Sequence, residues 1–384
     1  MSPDPRPLLI VTSAADLERE CEALRRCEVL AVDTEFIRES TYYPKLCLVQ
    51  LADAERLVVV DAVAVPSLAP LEALLADTSI LKVLHAARQD LEIFAQRTGA
   101  VPAPLFDTQL AASLLGFGEQ VGYGALVQRM LGVTLDKAHT RTDWAARPLP
   151  KGAIEYAADD VRYLLEVHHR MREQLAERGR LAWLDAEFAQ LARLDTYRVD
   201  PDDAWRKVRG TQRLTEPQRA RLKALAAWRE RTAIESDRPR GWILKDEALL
   251  DVARRNPTDD AALAELRDVP PQVAKRRGAE ILAALRGAGA GAAPDAEPER
   301  ARLTPDQDAA VDLLLALTRK RAAEHGVAPA NLANRRELER LVLGERELEV
   351  LGGWKRDAVG LALLALLAGE VALRVHDGRV VEDR

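Results

Sequence analysis

Apolar positions change period several times along the chain, and each change marks an element. Val29-Leu30-Ala31-Val32 is an unbroken apolar run that ends in Asp33-Thr34-Glu35-Phe36, as expected of a buried strand reaching a polar edge. Further strands are expected at 46–52 and 57–61, paired as a meander across the turn-like Asp53-Ala54-Glu55-Arg56, and at 80–85 and 105–106. Helical spacing predicts helices over 15–26, 68–76, 88–97, 109–115 and 123–131. A long helix over about 152–178 should carry Ile154, Val161, Leu164, Leu165 and Val167 on one side. Strands that come first in a run and then alternate with helices indicate an α/β layer fold with a mixed sheet. Beyond about Asp195 helical patterns dominate, in two blocks divided by the Gly/Ala/Pro stretch 286–298, which reads as a flexible linker.

Composition narrows the class. A 384-residue chain with 48% hydrophobic residues supports two or three cores and excludes a disordered protein. No apolar stretch reaches membrane-spanning length, and residues 1–7 are polar and proline-rich rather than a signal peptide, so a cytoplasmic protein with no membrane partner is expected. Cys21, Cys27 and Cys47 are odd in number and lack CxxC spacing, which speaks for buried free thiols. A net charge of -6 argues mildly against a nucleic-acid partner. Residues 206–240, however, hold eleven arginines and lysines against four acids, a basic field on an acidic chain.

Strand side chains alternate, so Asp33 and Glu35 point to one side. Two acids beside a buried strand carry a cost of roughly several kcal/mol unless a cation neutralises them. A divalent metal with oxygen ligands would do so. Taken alone, the pair could equally close the strand, with Asp33 capping the next segment and Glu35 in solvent. Three more residues extend the pattern. Asp90 opens a helix just after the strand that ends in His85, and Tyr156 and Asp160 lie four apart on the long helix, hence on one face. Acids converging from separate elements could hold two ions about 3.5 to 4 Å apart, suited to in-line attack at phosphorus. The irregular polar loop 136–150 is a natural substrate-contact segment.

The segments VDTEF (32–36), LHAARQDLEIF (84–94), FDTQLAA (106–112), LDKAHTRTDWAARPL (135–149) and EYAADDVRYLL (155–165) stand in the order found in the DEDD exonucleases. The chain resembles the tyrosine-bearing branch of that family, and within it the ribonuclease D family. The resemblance implies a ribonuclease H-like mixed-sheet exonuclease domain at 1–195, with Asp33, Glu35, Asp90 and Asp160 binding two divalent ions, Mg2+ or Mn2+, and Tyr156 orienting the attacking water. The tyrosine branch places its acid after three intervening residues, which selects Asp160 over Asp159. His85 then reads as a strand-end residue near the site. His139, His168, His169, His325 and His376 are scattered, and the adjacent His168 and His169 are expected on a solvated surface. Thr34, Phe36, His85, Lys137, Arg141 and Arg147 are candidate substrate contacts; ordinary loop charge and core packing explain the arginines, the lysine and Phe36 equally well.

Residues 222–266, with Trp228-Arg229, Asp237-Arg238-Pro239, Ile243-Leu244 as a strand-like entry, and Asn256-Pro257, resemble the helicase-and-ribonuclease-D C-terminal (HRDC) domain. Residues 313–324 and 351–373 resemble a second, divergent copy. The expected organisation is therefore the exonuclease domain, two small all-α domains at 205–287 and 301–384, and a flexible linker at 288–300. The implied activity is 3'-to-5' removal of nucleoside 5'-monophosphates from RNA, with transfer RNA precursors as partners and no organic cofactor. A DNA exonuclease and a nucleic-acid-binding adaptor without chemistry are the alternatives, and the second predicts a broken acid set.

Overall fold

A computed structural model describes residues 6–136, 138–139, 142–288 and 303–383. They form two compact units. One gathers Met1–Phe36, Leu46–Thr196 and Arg302–Arg384; the other gathers Ile37–Lys45 and Tyr197–Ala301. The candidate linker positions 289–300 lie outside the described residues. Among the described residues no helix is long and apolar enough to cross a membrane.

In the first unit the chain runs β1 (Leu8–Val11), α1 (Ala14–Leu24), β2 (Val29–Ile37), β3 (Lys45–Ala52), β4 (Leu57–Asp61), α2 (Ala69–Leu75), β5 (Leu81–Leu84), α3 (Arg88–Thr98), β6 (Leu105–Asp107), α4 (Thr108–Leu114) and α5 (Tyr123–Leu131). The sheet order is β1-β4-β3-β2-β5-β6. β3 and β4 pair antiparallel, with Gln50 opposite Val59, whereas β1 with β4, β2 with β5 and β5 with β6 are parallel. The sheet is therefore mixed, and β2 lies inside it. Its run Leu30-Ala31-Val32 is buried on both faces, which is why the segment carries no polar residue before Asp33. β1 was not foreseen from the sequence: it is four residues long and sits at the sheet's edge.

The long helix expected over 152–178 is two helices, α6 (Lys151–Arg162) and α7 (Leu164–Glu177), which meet at Tyr163 with φ -105 and ψ -2. That conformation is sparsely allowed and breaks the helical repeat. The break changes the buried face. α6 buries Ala153, Ala157, Ala158 and Val161, and α7 buries Leu164, Val167, His168, Met171 and Leu175. His168 is thus a correction to the expected solvated pair. It occupies the apolar stripe of α7, its ring lies edge-on to Phe106 at 4.7 Å, and burial pushes its pKa down to about 4. His169 is exposed beside Glu173 at 3.3 Å.

After α8 (Asp185–Leu191) the second unit builds α9 (Glu216–Glu235), α10 (Arg240–Ile243), α11 (Asp246–Arg255), α12 (Asp260–Ala264) and α13 (Pro271–Gly287) around Trp205, Leu222, Leu225, Leu249, Val252 and Ile281. Ile243 belongs to α10, and only Leu244 is extended, so the strand-like entry is a helix end. The segment Ile37–Lys45 is stitched to this unit. Tyr42 is buried against Ala233 and Ile243, and its hydroxyl donates to Glu230 at 2.5 Å.

The C-terminal stretch, α14 (Pro305–His325), α15 (Pro329–Leu332), α16 (Arg335–Val342), α17 (Gly353–Lys355) and α18 (Leu361–Leu367), packs within the first unit. Trp354 stacks on Trp183 with centroids 4.3 Å apart and planes 4° from parallel. The Arg180 guanidinium lies 5.0 Å from the Trp183 ring centre and donates to the Leu114 carbonyl at 2.7 Å. A hairpin, β7 (Ala372–His376) and β8 (Arg379–Asp383), closes the chain. α9 and α14 begin alike, each with a Thr N-cap (Thr215, Thr304) in a capping box with Gln at N3 (Gln218, Gln307), and each is followed by a four-residue helix.

Candidate active site

The alternation of β2 sets the site. Val32 and Thr34 are buried, while Asp33 and Glu35 between and beyond them are only partly so. Asp160 on α6 meets this pair: one carboxylate oxygen from each of Asp33, Glu35 and Asp160 lies within 4.8 Å of the others. Asp90 stands beside this trio rather than in it. It is buried on the first turn of α3 and accepts a hydrogen bond from the Thr34 hydroxyl. β5 runs parallel to β2, so the turn after Leu84 delivers α3 to the end of the sheet where Asp33 lies.

Burial and mutual repulsion make these acids hold their protons. Burial, then the charges of Asp160 and Asp90, push Glu35 up to about 8. Burial and Asp159 push Asp160 up to about 7. Asp33 is raised well above the carboxylate range by burial and by Asp90, Asp160 and Glu35 in turn. Asp90 is raised to about 7 by burial, against the pull of the Thr34 hydroxyl bond. Among the described residues no lysine or arginine pairs with any of the four. An all-oxygen donor set, crowded and without a paired cation among the described residues, fits hard divalent ions such as magnesium or manganese. The Tyr156 phenol faces the same field: burial, then Asp160, Glu35 and Asp33, raise its pKa. Asp159 is turned aside and pairs with Arg162 at 2.6 Å.

A model of the 3'-5' exonuclease family matches residues 8–176, and a model of the HRDC domain matches residues 218–285. The ribonuclease D of Granulibacter bethesdensis is 43% identical over 98% of this chain and 96% of its own length. That of Acidiphilium cryptum is 42% identical over 98% and 97%. The chain belongs to the ribonuclease D family. The crystal structure of Escherichia coli RNase D, described as an exoribonuclease involved in structured RNA processing, aligns at a TM-score of 0.85 and 33% identity, covering 94% of this chain and 99% of that one. As a ribonuclease D family member, the chain is a hydrolytic 3'-to-5' exoribonuclease, and DEDD exonucleases generally use divalent metals.

Within this ribonuclease D fold the candidate substrate contacts fare differently. Arg147 is committed inside the protein. Its guanidinium grips Asp61 with two bonds of 2.6 Å and donates to the Trp144, Ala146 and Cys47 carbonyls at 2.7, 2.7 and 3.1 Å, so its donors are engaged inside the protein. His85 is likewise occupied, one ring nitrogen 2.9 Å from the Thr108 hydroxyl and the other 3.0 Å from the Val121 carbonyl, with its pKa lowered by burial. Thr34 holds Asp90. Phe36 is half-buried at the end of β2. Lys137 and Arg141 lie outside the described residues.

Three residues near the site, Asp107, His139 and Trp144, carry no role that the sequence alone assigns. The buried Asp107 carboxylate accepts the backbone N–H groups of Ala86 and Ala87, at 3.1 and 2.9 Å, while capping α4 through Gln109 at 2.7 Å. It thereby fixes the turn, with Ala86 at φ 57, that launches α3 and Asp90. The signal was present, since Asp-Thr-Gln after a short strand is an N-cap pattern. The His139 ring lies edge-on to Tyr156 with centres 6.4 Å apart, and Trp144 stacks on Tyr156 at 6.2 Å. His139 fits because residue 152 is glycine: a Cβ there would come within 2.6 Å of its ring.

Proposed function

We propose that this enzyme removes nucleoside 5'-monophosphates from RNA 3' ends by two-metal-ion hydrolysis, with transfer RNA precursors as its cytoplasmic substrates. The observation that carries this reading is the gathering of Asp33, Glu35 and Asp160 oxygens within 4.8 Å, all with raised proton affinity and, among the described residues, no paired cation to relieve them. Asp33, Glu35, Asp90 and Asp160 would hold the ions, which when bound activate water and stabilise the departing oxygen. Tyr156, in contact with the rings of Trp144 and His139 and facing the acids, would donate its phenol proton to orient the attacking water. Thr34 would keep Asp90 in place through its hydroxyl bond. The role named for the Escherichia coli neighbour, structured RNA processing, supports the choice of substrate. The capping boxes shared by α9 and α14 support a second, divergent HRDC module at 301–384 after the first at 205–287.

The test is digestion of a transfer RNA precursor carrying a 3' trailer, with magnesium and with EDTA. Stepwise shortening from the 3' end with release of 5'-monophosphates, silenced reversibly by EDTA, is expected. Internal cuts, 3'-monophosphate products or chelator-resistant activity would refute the proposal.

A further inference from the structure

The first unit buries a second phenol near the acids, and the hydrolytic reading above gives it nothing to do. Tyr123 opens α5, which packs against α7. Its hydroxyl oxygen is buried and makes no hydrogen bond among the described residues. Buried polar groups are nearly always paired, so a fold that keeps one open points to a use for it. Tyr42 shows the ordinary solution, its buried hydroxyl donating to Glu230 at 2.5 Å.

The surroundings hold the Tyr123 ring in place. The Val121 carbonyl, two residues earlier, meets one His85 ring nitrogen at 3.0 Å and accepts from the Gln109 amide at 3.2 Å. The other His85 nitrogen meets the Thr108 hydroxyl at 2.9 Å, and the His85 ring lies 5.5 Å from that of Tyr123. His85 sits on the turn between β5 and α3, the helix that carries Asp90.

The hydroxyl held in this way feels the site directly. The charges of Asp160 and then Asp33 act on it, as does the N–H of Tyr163, the residue that ends α6 one turn beyond Asp160. Burial, reinforced by those carboxylates, keeps the phenol protonated well above its ordinary range, so it remains a hydrogen-bond donor. The acids differ in their support. Asp90 already receives the Thr34 hydroxyl, whereas Asp160 receives no hydrogen bond among the described residues. A donor without an acceptor therefore stands near an acceptor without a donor. Carboxylates that ligate metals are commonly oriented by such a second group.

We propose that Tyr123 is a positioning residue of the hydrolytic site, its hydroxyl donating to the Asp160 carboxylate and fixing the oxygen that Asp160 presents to its ions. The inference rests on the metal reading of the acids given above. It divides the work of the two phenols: Tyr156 meets the water, and Tyr123 steadies a ligand. His85 then serves by holding Tyr123.

The experiment uses the full chain and Tyr123→Phe, which keeps the ring against His85 and removes only the oxygen. Magnesium binding is read without turnover, from the rise of the thermal midpoint across a magnesium titration. Kinetics on an RNA oligonucleotide are read at saturating magnesium. The variant should need roughly ten- to a hundredfold more magnesium for half of the rise, and should lose roughly tenfold in kcat with KM for RNA unchanged. In EDTA its midpoint should equal or exceed the parent's, because the lost hydroxyl had no partner. A structural hydroxyl would give the opposite sign. Parent-like magnesium affinity, or a midpoint lowered in EDTA, would overturn the proposal. Failure of the metal reading is distinguishable, since the parent itself would then show no magnesium-dependent rise.

Discussion

The acid pocket and the C-terminal stretch 303–383 are both dense in charge, but they differ in depth and in pairing. In the pocket Asp33, Glu35, Asp90 and Asp160 crowd together under cover, so their repulsion has little solvent to screen it and protons take the place of a cation. In the C-terminal stretch charges such as Arg335 and Asp308 are partly exposed, and each ion pair there is weak and salt-sensitive. Burial therefore leaves the four acids in need of a counter-charge, whereas charges near the surface are met by their neighbours and by water. The C-terminal stretch already supplies its own counter-charges. Its cations are largely spent internally, Arg335 on Asp308, Asp312 and Glu339, and Arg321 on Glu324 and Glu382.

The depth of the pocket is broken most sharply by single neutralisations. Asp160→Asn keeps shape and removes one ligand charge, and should lower kcat by at least roughly a thousandfold. Asp159→Asn, one residue away, loses only a partly exposed pair with Arg162 and should stay within roughly threefold of the parent rate. Steady-state kinetics on an RNA oligonucleotide, with circular dichroism to confirm folding, checks both. Equal losses would mean that the sequence spacing and the packing of α6 have assigned the wrong acid.

The same crowding gives the metal-free protein a pH dependence of definite sign. Glu35 and Asp160 rise from about 4.5 and 3.8 to about 8 and 7 in the folded state. The folded state thus binds more protons than the unfolded one between those limits. Stability is fully present below pH ~4 and is lost as pH climbs through about 7 to 8, by an amount on the order of a few kcal/mol. Magnesium should reverse the loss, because the ions replace the protons. Denaturation midpoints from pH 5 to 8.5, in EDTA and in magnesium, measure it, and parallel curves in the two conditions would show that the pocket does not bind the ion.

Much of this was legible in the residues because it is local. Asp33 and Glu35 share a side by strand alternation, Tyr156 and Asp160 share a face by helical spacing, and the apolar run of β2 announces a buried strand. What could not be read is set by partners far along the chain. Arg147 finds Asp61 across 86 positions, and Tyr42 finds Glu230 across 188, so local periodicity carries no trace of either. The break at Tyr163 was hidden for a different reason: apolar residues continue through it at nearly helical spacing, and only packing shows that the buried face has turned. His168 could have been found, since Leu164, Val167, Met171 and Leu175 place it inside their own stripe.

Arg147 gives the finest test of the difference between paired and unpaired charges. Its bidentate grip on Asp61, together with three carbonyl contacts, ties the loop before α6 to the end of β4. Arg147→Lys keeps the charge but cannot reproduce the planar fork, and should cost roughly 1 to 2 kcal/mol of stability. Asp61, whose pKa is lowered against burial by that guanidinium and by the Ala64 and Val63 N–H groups, loses part of what favours its charged form. The salt dependence of RNA affinity should nevertheless stay at the parent slope, because this cation already has its anion. A flatter slope in Arg147→Ala, which removes the charge, would place the residue on the RNA.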